Sequence, residues 1–330
     1  FMAAVALSVG AIPEGLPAAM TITLAIGVAK MAKRNAIIRK LPAVETLGST
    51  MVICSDKTGT LTQNEMTVQR VWAGGENLSV SGIGYAPQGE FIEHDSSVDP
   101  TCNVAMRECL LAGMLCNDSQ LVSSDGGWHV EGDPTEGALL TSARKAGLDP
   151  ARLAEELPRI DSIPFESQHQ FMATVHAADA GDTHLVYLKG SVESILARCQ
   201  HAMTSSGDVV PLSPEDVHAQ VDELASTGLR VLAFARAERH EKTESIRHED
   251  IVEGLVFLGL QGMIDPPRPE AIAAVRACQN AGIKVKMITG DHAGTARAIA
   301  REIGLNHTAE AGDAPSVLTG QELEAMTDAE

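Results

Sequence analysis

The stretch Met51-Val52-Ile53-Cys54-Ser55-Asp56-Lys57-Thr58-Gly59-Thr60-Leu61-Thr62 decides how this chain reads. Its first half is an apolar run of strand length; its second half is a Gly and Thr loop behind an acid. In α/β sheets, ligands bind beyond the carboxyl ends of the strands, where such loops gather. An Asp held there among small residues and backbone amides has the setting of a nucleophile toward a phosphoryl group. Lys57 and the loop hydroxyls supply charge and donors, the main needs of phosphoryl transfer. Thr58, two residues beyond Asp56, is a poor general acid or base at neutral pH. A phosphorylated Asp56 is therefore expected to persist.

A second unit of this kind lies far downstream. The apolar run Ile283–Ile288 ends at Thr289-Gly290-Asp291, and Ala296, Ile299, Ala300 and Ile303 follow at helical spacing. The two units read as parts of one parallel sheet, yet more than 200 residues separate them. A loop that long needs a fold of its own. Apolar runs at Val68–Trp72, Phe171–Val175, His184–Leu188, Val231–Ala235 and Leu255–Leu260, alternating with helix-like stretches, predict one. Asp265-Pro266-Pro267-Arg268-Pro269 is a stiff connector suited to a domain boundary. The expected class is α/β, with one domain inserted in another.

The first thirty residues are different material. From Phe1 to Ala29 the only ionisable side chain is Glu14, and about 20 apolar residues suffice to cross a bilayer as a helix. Lys30, Lys33, Arg34, Arg39 and Lys40 follow with no acid among them, the mark of a cytosolic flank. A buried helix of a soluble protein is the alternative. Pro13-Glu14-Gly15-Leu16-Pro17 should break the helical ladder and leave carbonyls free beside a carboxylate. A hard cation would satisfy both kinds of oxygen. A proline kink with a neutral or snorkelling Glu14 is the plainer reading.

Composition narrows the function classes. With 25 Lys plus Arg against 44 Asp plus Glu, the formal net charge is −19, which argues against nucleic acid as a partner. Six cysteines without a C-x-x-C pair make neither a disulfide scaffold nor a structural zinc site. Cys102, Cys109 and Cys116, spaced by seven, read as core packing. The residues near Ser123–Gly127 read as a surface turn. No G-x-x-x-x-G-K-[ST] loop occurs, and no Ser-His-Asp pattern stands out. His169 and His292 read as surface residues rather than ligands.

Cys54-Ser55 followed by Asp56–Thr62 resembles the phosphorylation motif of P-type ATPases. Pro13–Pro17 resembles the broken fourth membrane helix of the type II cation pumps, closest to the calcium-pump branch, and Asp265-Pro266-Pro267 and Thr289-Gly290-Asp291 match two further motifs in order. The resemblance implies a haloacid-dehalogenase-like (Rossmannoid) phosphorylation domain interrupted by an α+β nucleotide-binding domain, preceded by a proline-broken transmembrane helix. The implied boundaries are 1–30 for that helix, 31–65 and 267–330 for the phosphorylation domain, and 66–266 for the insertion. It implies ATP and Mg2+ as cofactors, and a transported cation and a lipid bilayer as partners. The cytosolic domains would sit on an integral membrane protein, in the cell membrane.

The resemblance also assigns roles. Asp56 would be phosphorylated, with Lys57 beside it; Thr58 would contact the γ-phosphate and offer a carbonyl to magnesium alongside Asp56. Thr289, Gly290 and Asp291 would line the phosphate pocket, and Asp265 would lie near the ribose and the hinge. Glu136, in Asp133-Pro134-Thr135-Glu136-Gly137, would reach the adenine amino group. Phe165 would stack on adenine, Lys189 and Gly190 would lie deep in its pocket, and Arg230 would pair with phosphate. Glu14 and the carbonyls of Val9, Gly10 and Ile12 would give part of the transported cation's shell. Gln170 stands where many relatives carry a Lys. Taken alone, Phe165 reads as core, Glu136 as a helix N-terminal charge, and Lys189 and Arg230 as surface cations. The family's G-D-G-x-N-D and T-G-E-S segments do not occur, so the chain is expected to be a fragment that transports nothing alone. A membrane-anchored phosphohydrolase and a silent nucleotide-binding module are the alternatives.

Overall fold

A computed structural model of the chain describes residues 15–124, 127–178, 183–239, 245–290, 293–305 and 316–327. It divides into two compact units, Phe1–Cys54 with Arg276–Lys286, and Ser55–Val275 with Met287–Glu330. Val9, Gly10, Ile12, Glu14, Asp291 and His292 lie outside the described residues.

Helix α1 (Gly15–Ala32) buries none of its residues. Among the described residues it is the one helix long and apolar enough to cross a membrane, by length and composition alone. The Thr21 and Thr23 hydroxyls donate back to the Pro17 and Ala19 carbonyls, so neither is left bare on this apolar rod. Helix α2 (Ala43–Gly48) follows, then β1 (Val52–Asp56).

The chain continues with β2 (Thr67–Ala73), β3 (Glu76–Val80), β4 (Phe91–Glu93), β5 (Ser96–Val98), α3 (Val104–Leu115), β6 (Gln120–Ser124) and β7 (Gly127–Glu131). Next come α4 (Pro134–Lys145), α5 (Pro150–Glu156), β8 (Arg159–Glu166), β9 (Phe171–Ala178), β10 (Thr183–Gly190) and α6 (Val192–Leu196). After these lie β11 (Cys199–Met203), β12 (Val209–Pro211), α7 (Pro214–Ser226), β13 (Arg230–Arg239) and β14 (Leu255–Ile264). The last elements are α8 (Pro269–Asn280), β15 (Lys284–Ile288), α9 (Ala293–Ile303) and α10 (Gly320–Ala325).

One sheet dominates the larger unit, ordered β5-β4-β3-β2-β14-β13-β10-β9-β8, with β11 parallel to the start of β14 and β12 outside it. Its five consecutive central strands, β2, β14, β13, β10 and β9, are the five apolar runs picked out in the sequence. Most of their positions are buried, β9, β10 and β14 almost throughout, which is why they read as runs. Helices α3 and α4 close the core, with Met106, Leu110, Leu139, Tyr187 and Phe234 all shut off from solvent.

Buried polar groups fix how the helices sit. Gln261 on β14 donates to the Cys109 carbonyl of α3 and accepts from the Ser142 hydroxyl of α4, tying both helices to one strand. Glu108 accepts from Tyr187 on β10 and from Arg236 on β13. Cys109 and Cys116 are buried as core thiols, but Cys102 is exposed. The reason is local: Asn103 caps α3 through the Met106 N–H, so Cys102 falls in the turn before the helix. Four helical-spacing residues of α9, Ala296, Ile299, Ala300 and Ile303, are all buried.

Strand β15 pairs with β1. Lys284 N–H donates to the Met51 carbonyl, which joins the two strand starts and makes the pair run parallel.

Glu108→Ala would strand Arg236 and Tyr187 and should lower the unfolding free energy by about 3 kcal/mol in urea, read by Trp72 and Trp128 fluorescence. Arg107→Ala, which removes a half-exposed partner, should change it by less than about 0.5 kcal/mol. His176 on β9 bonds the Leu157 carbonyl through Nδ1 and Thr174 through Nε2, a neutral tautomer, and burial pushes its pKa down to about 4. Its stabilising effect is whole above about pH 6.5 and is lost as pH falls toward 4, when only the unfolded chain takes up the proton. Between pH 7.5 and 4.5 the native chain should lose ~2–3 kcal/mol more stability than His176→Gln.

Candidate functional site

Lys189, near the end of β10, is buried with its ammonium pointing toward α3 and α4. A charge there requires a partner and further hydrogen bonds. It pairs with the Glu136 carboxylate and donates to the Cys116 carbonyl at 2.6 Å. The other Glu136 oxygen accepts from the Ser119 hydroxyl at 2.8 Å and the Asp118 N–H at 3.1 Å. Asn117 donates to the Glu136 carbonyl and to Gly113, and Arg159 holds Asp118 at 2.6 Å. Burial raises the Cys116 thiol pKa against the pull of Lys189, so the thiol stays protonated and packs as a hydrophobe.

Local sequence explains the position of Glu136. Asp133 is the N-cap of α4, accepting from the Thr135 and Glu136 N–H groups, with Pro134 at the first helical position. Gly137 lies against Val130, where an added Cβ would fall 2.2 Å from a methyl. The motif is thus a helix start pressed onto the β6–β7 hairpin, with its acid turned toward Lys189. Asn117, Asp118 and Ser119 were not singled out in the sequence. Their only signal is a polar cluster directly after an apolar helix.

The strand register gathers the remaining residues. Glu166 pairs with Phe171, Phe171 with Gly190, and Gly190 with Ala233, a row across β8, β9, β10 and β13. Phe165 and Lys189 each lie one residue off this row. Phe165 sits in an irregular stretch of β8 and is 57% exposed, an aromatic face open to a ligand rather than a core residue. Gly190 has no room for a side chain, because a Cβ would meet the Gln170 carbonyl at 2.4 Å. Gln170 takes φ +57° in the β8–β9 turn, and its side chain accepts from Ser191 at 3.2 Å. Arg230, exposed at the start of β13, is about 10 Å along the strand from the row.

Asp56 is exposed at the end of β1. The chain then makes a tight turn over Lys57–Leu61, with Gly59 at φ +68°. Thr62 holds this turn, its N–H donating to the Lys57 carbonyl and its hydroxyl accepting from the Gly59 N–H. That hydroxyl donates to Asp265 at 2.6 Å, whose second oxygen accepts from the Glu65 N–H. Arg268 donates to the Thr62 and Gly59 carbonyls. Asp265 is therefore occupied in joining the two passages of chain beside the turn. Thr289 follows β15, the neighbour of β1, and Gly290 beside it is exposed. The exposed Asp56 carboxylate and the Thr58 carbonyl, on extended backbone, offer hard oxygen donors that suit magnesium.

Residues 105–270 match the family described as P-type ATPase, cytoplasmic domain N. The chain is 57% identical over its whole length to the cation-transporting ATPase pma1 of Synechocystis sp., covering 36% of that protein. It is 52% identical over 99% of its length to the probable cation-transporting ATPase F of Mycobacterium tuberculosis, again 36% of that protein. With the calcium-transporting ATPase of Bacillus subtilis it shares 43% identity over 92% of its length, 34% of that protein. The chain thus spans about a third of the curated relatives it matches. Its buried acid–lysine pair, its exposed aromatic and its strand-end Asp all lie on a chain that belongs to the P-type cation ATPases.

Proposed function

We propose that this chain carries the nucleotide-binding and phosphorylation centres of an ATP-driven cation pump that works through a phosphorylated Asp56. Family membership, together with an exposed Asp56 at the head of a turn bent at Gly59, is the observation that carries this reading. The β1–β15 pair belongs to a haloacid-dehalogenase-like phosphorylation domain, residues 31–65 and 267–330, with 66–266 as the inserted nucleotide-binding domain. The membrane-spanning element would include Gly15–Ala32, and the part of the transported cation's shell assigned to Glu14 and the carbonyls of Val9, Gly10 and Ile12 lies outside the described residues. Calcium or a related cation, exported from the cytosol, fits the calcium-transporting relatives.

In the reaction, a carboxylate oxygen of Asp56 attacks the γ-phosphorus of ATP, and the bond to the bridging oxygen breaks to release ADP. Lys57, Thr58, Thr289, Gly290 and Asp291 hold the transferring phosphoryl group in line. Asp56 and the Thr58 carbonyl would hold magnesium, which when bound would supply neutralising charge to the phosphates. Thr58 lacks the basicity to activate water, so the acyl phosphate lasts long enough to be coupled to ion movement. In the nucleotide pocket Phe165 stacks on adenine. Glu136, braced by Lys189, faces the amino group with its position set beforehand, and Gly190 lets the Gln170 and Phe171 backbone pack close beside it. Arg230 meets the phosphates. Gln170 presents an amide and no charge, which leaves Arg230 to carry more of the phosphate recognition.

Phe165→Ala should weaken ATP binding to the chain about tenfold, the value of roughly 1–2 kcal/mol of ring stacking, by titration calorimetry. Unchanged affinity would remove Phe165 from the pocket. In the whole pump, ATP labelled at the γ-phosphate should leave an acid-stable, hydroxylamine-labile label that Asp56→Asn abolishes. A label that survives the substitution defeats the assignment.

A further inference from the structure

We infer that Glu166, His169 and His248 form a binding site for a borderline divalent cation of the zinc class. Each offers one ligand atom, and the three atoms lie within 4.8 Å of one another. The Glu166 Oε2 to His169 Nε2 distance is 3.6 Å. Two ligands at tetrahedral zinc, each about 2.0–2.1 Å from the ion, stand roughly 3.3–3.5 Å apart, so this pair needs little adjustment.

Backbone bonds set the cluster. In the β8–β9 turn the His169 and Gln170 N–H groups both donate to the Glu166 carbonyl, which holds Glu166 and His169 together. His248 opens a short helical turn through Ile251, which is fully buried, and the Asp250 carboxylate secures its start by accepting from the Arg247 N–H. The imidazoles of His169 and His248 are 4.1 Å apart between centroids, with Phe171 edge-on to His248.

Two features distinguish this group from an ordinary histidine stack. The side-chain amide of Gln168 reaches both Glu166 Oε2, at 2.8 Å, and His169 Nε2, at 3.1 Å. An amide nitrogen only donates, so both atoms turn lone pairs toward one electron-poor group; His169 Nε2 has a single such pair, so a metal ion would take the place of the Gln168 amide. His248 Nδ1 is closed off from solvent and has no hydrogen-bond partner among the described residues. Such a nitrogen is costly to leave unmatched.

Two imidazoles and one carboxylate select zinc, cobalt, nickel or copper over magnesium and calcium, which want oxygen alone. Three protein ligands leave a fourth position for water. The bound ion would clip the β8–β9 turn to the turn at His248, two segments separated by about eighty residues of sequence. His169 then acts as a ligand rather than as the plain surface residue its sequence suggests.

The test titrates the full chain with Zn2+ against a chromogenic chelator and, separately, loads it with Co2+. The wild-type chain should bind one more equivalent than His169→Ala or His248→Ala, and Glu166→Gln should lower that affinity at least ~tenfold. The Co2+-loaded wild type should show visible d–d bands that a large excess of Mg2+ leaves in place and that the His variants lack. Equal zinc stoichiometry and affinity in all four proteins overturns the site. Should a histidine variant fail to fold by circular dichroism, the wild-type spectrum decides: absence of the bands overturns the site.

Discussion

A lysine ammonium inside a protein cannot stand alone, and the arrangement around Lys189 is built on that requirement. Its charge is answered by Glu136 from the start of α4 and by the Cys116 carbonyl at the end of α3. The same carboxylate is held by Ser119 and the Asp118 N–H. One ion pair thus decides how two helix ends meet the edge of a strand. Removing either partner would leave a charge in a place where water cannot reach it well. The pair also fixes which Glu136 oxygen is engaged on which side, so the carboxylate has one orientation.

Around that pair the sheet does the positioning. The lateral row through Glu166, Phe171, Gly190 and Ala233 brings residues from four strands to one level. Strand pairing fixes such neighbours to within a residue, because a slip by one would turn every core side chain to the opposite face. Phe165 is exposed because the β8–β9 pairing is irregular at its position, and a regular strand would have alternated it differently.

Much of this was legible in the sequence, and the reasons for success and failure are physical. The five central strands were readable because most of their positions are buried, β9, β10 and β14 almost throughout, which leaves nearly continuous apolar runs. The four buried positions of α9 were readable because its pattern has a helical period. Cys102 misled, since spacing by seven implies one helix face only while the helix lasts, and Asn103 starts it one residue later. Asp133 looks like a motif letter but is also an N-cap, and only coordinates separate the two uses. The grip of Asn117 and Ser119 on Glu136 was invisible, because it joins residues about twenty positions apart through side-chain geometry that no period records. Asp265 reads in the sequence only as the start of a stiff Pro-rich connector, while its bonds to Thr62 and Glu65 span some two hundred residues and leave no local pattern.

Those bonds have a mechanical consequence. The chain leaves the Asp56 turn through Thr62–Glu65 and comes back through Asp265–Arg268, and the two passages are laced together. Gln63 N–H donates to the Pro266 carbonyl, Arg268 N–H to Leu61, and the Asp265 carboxylate grips the opposite passage twice. A tug on either tether is therefore shared by its twin. Two cords spliced side by side resist shear and twist far better than two that hang free. The splice makes one doubled strap of Leu61–Glu65 and Asp265–Arg268, in which neither passage shifts without breaking these bonds.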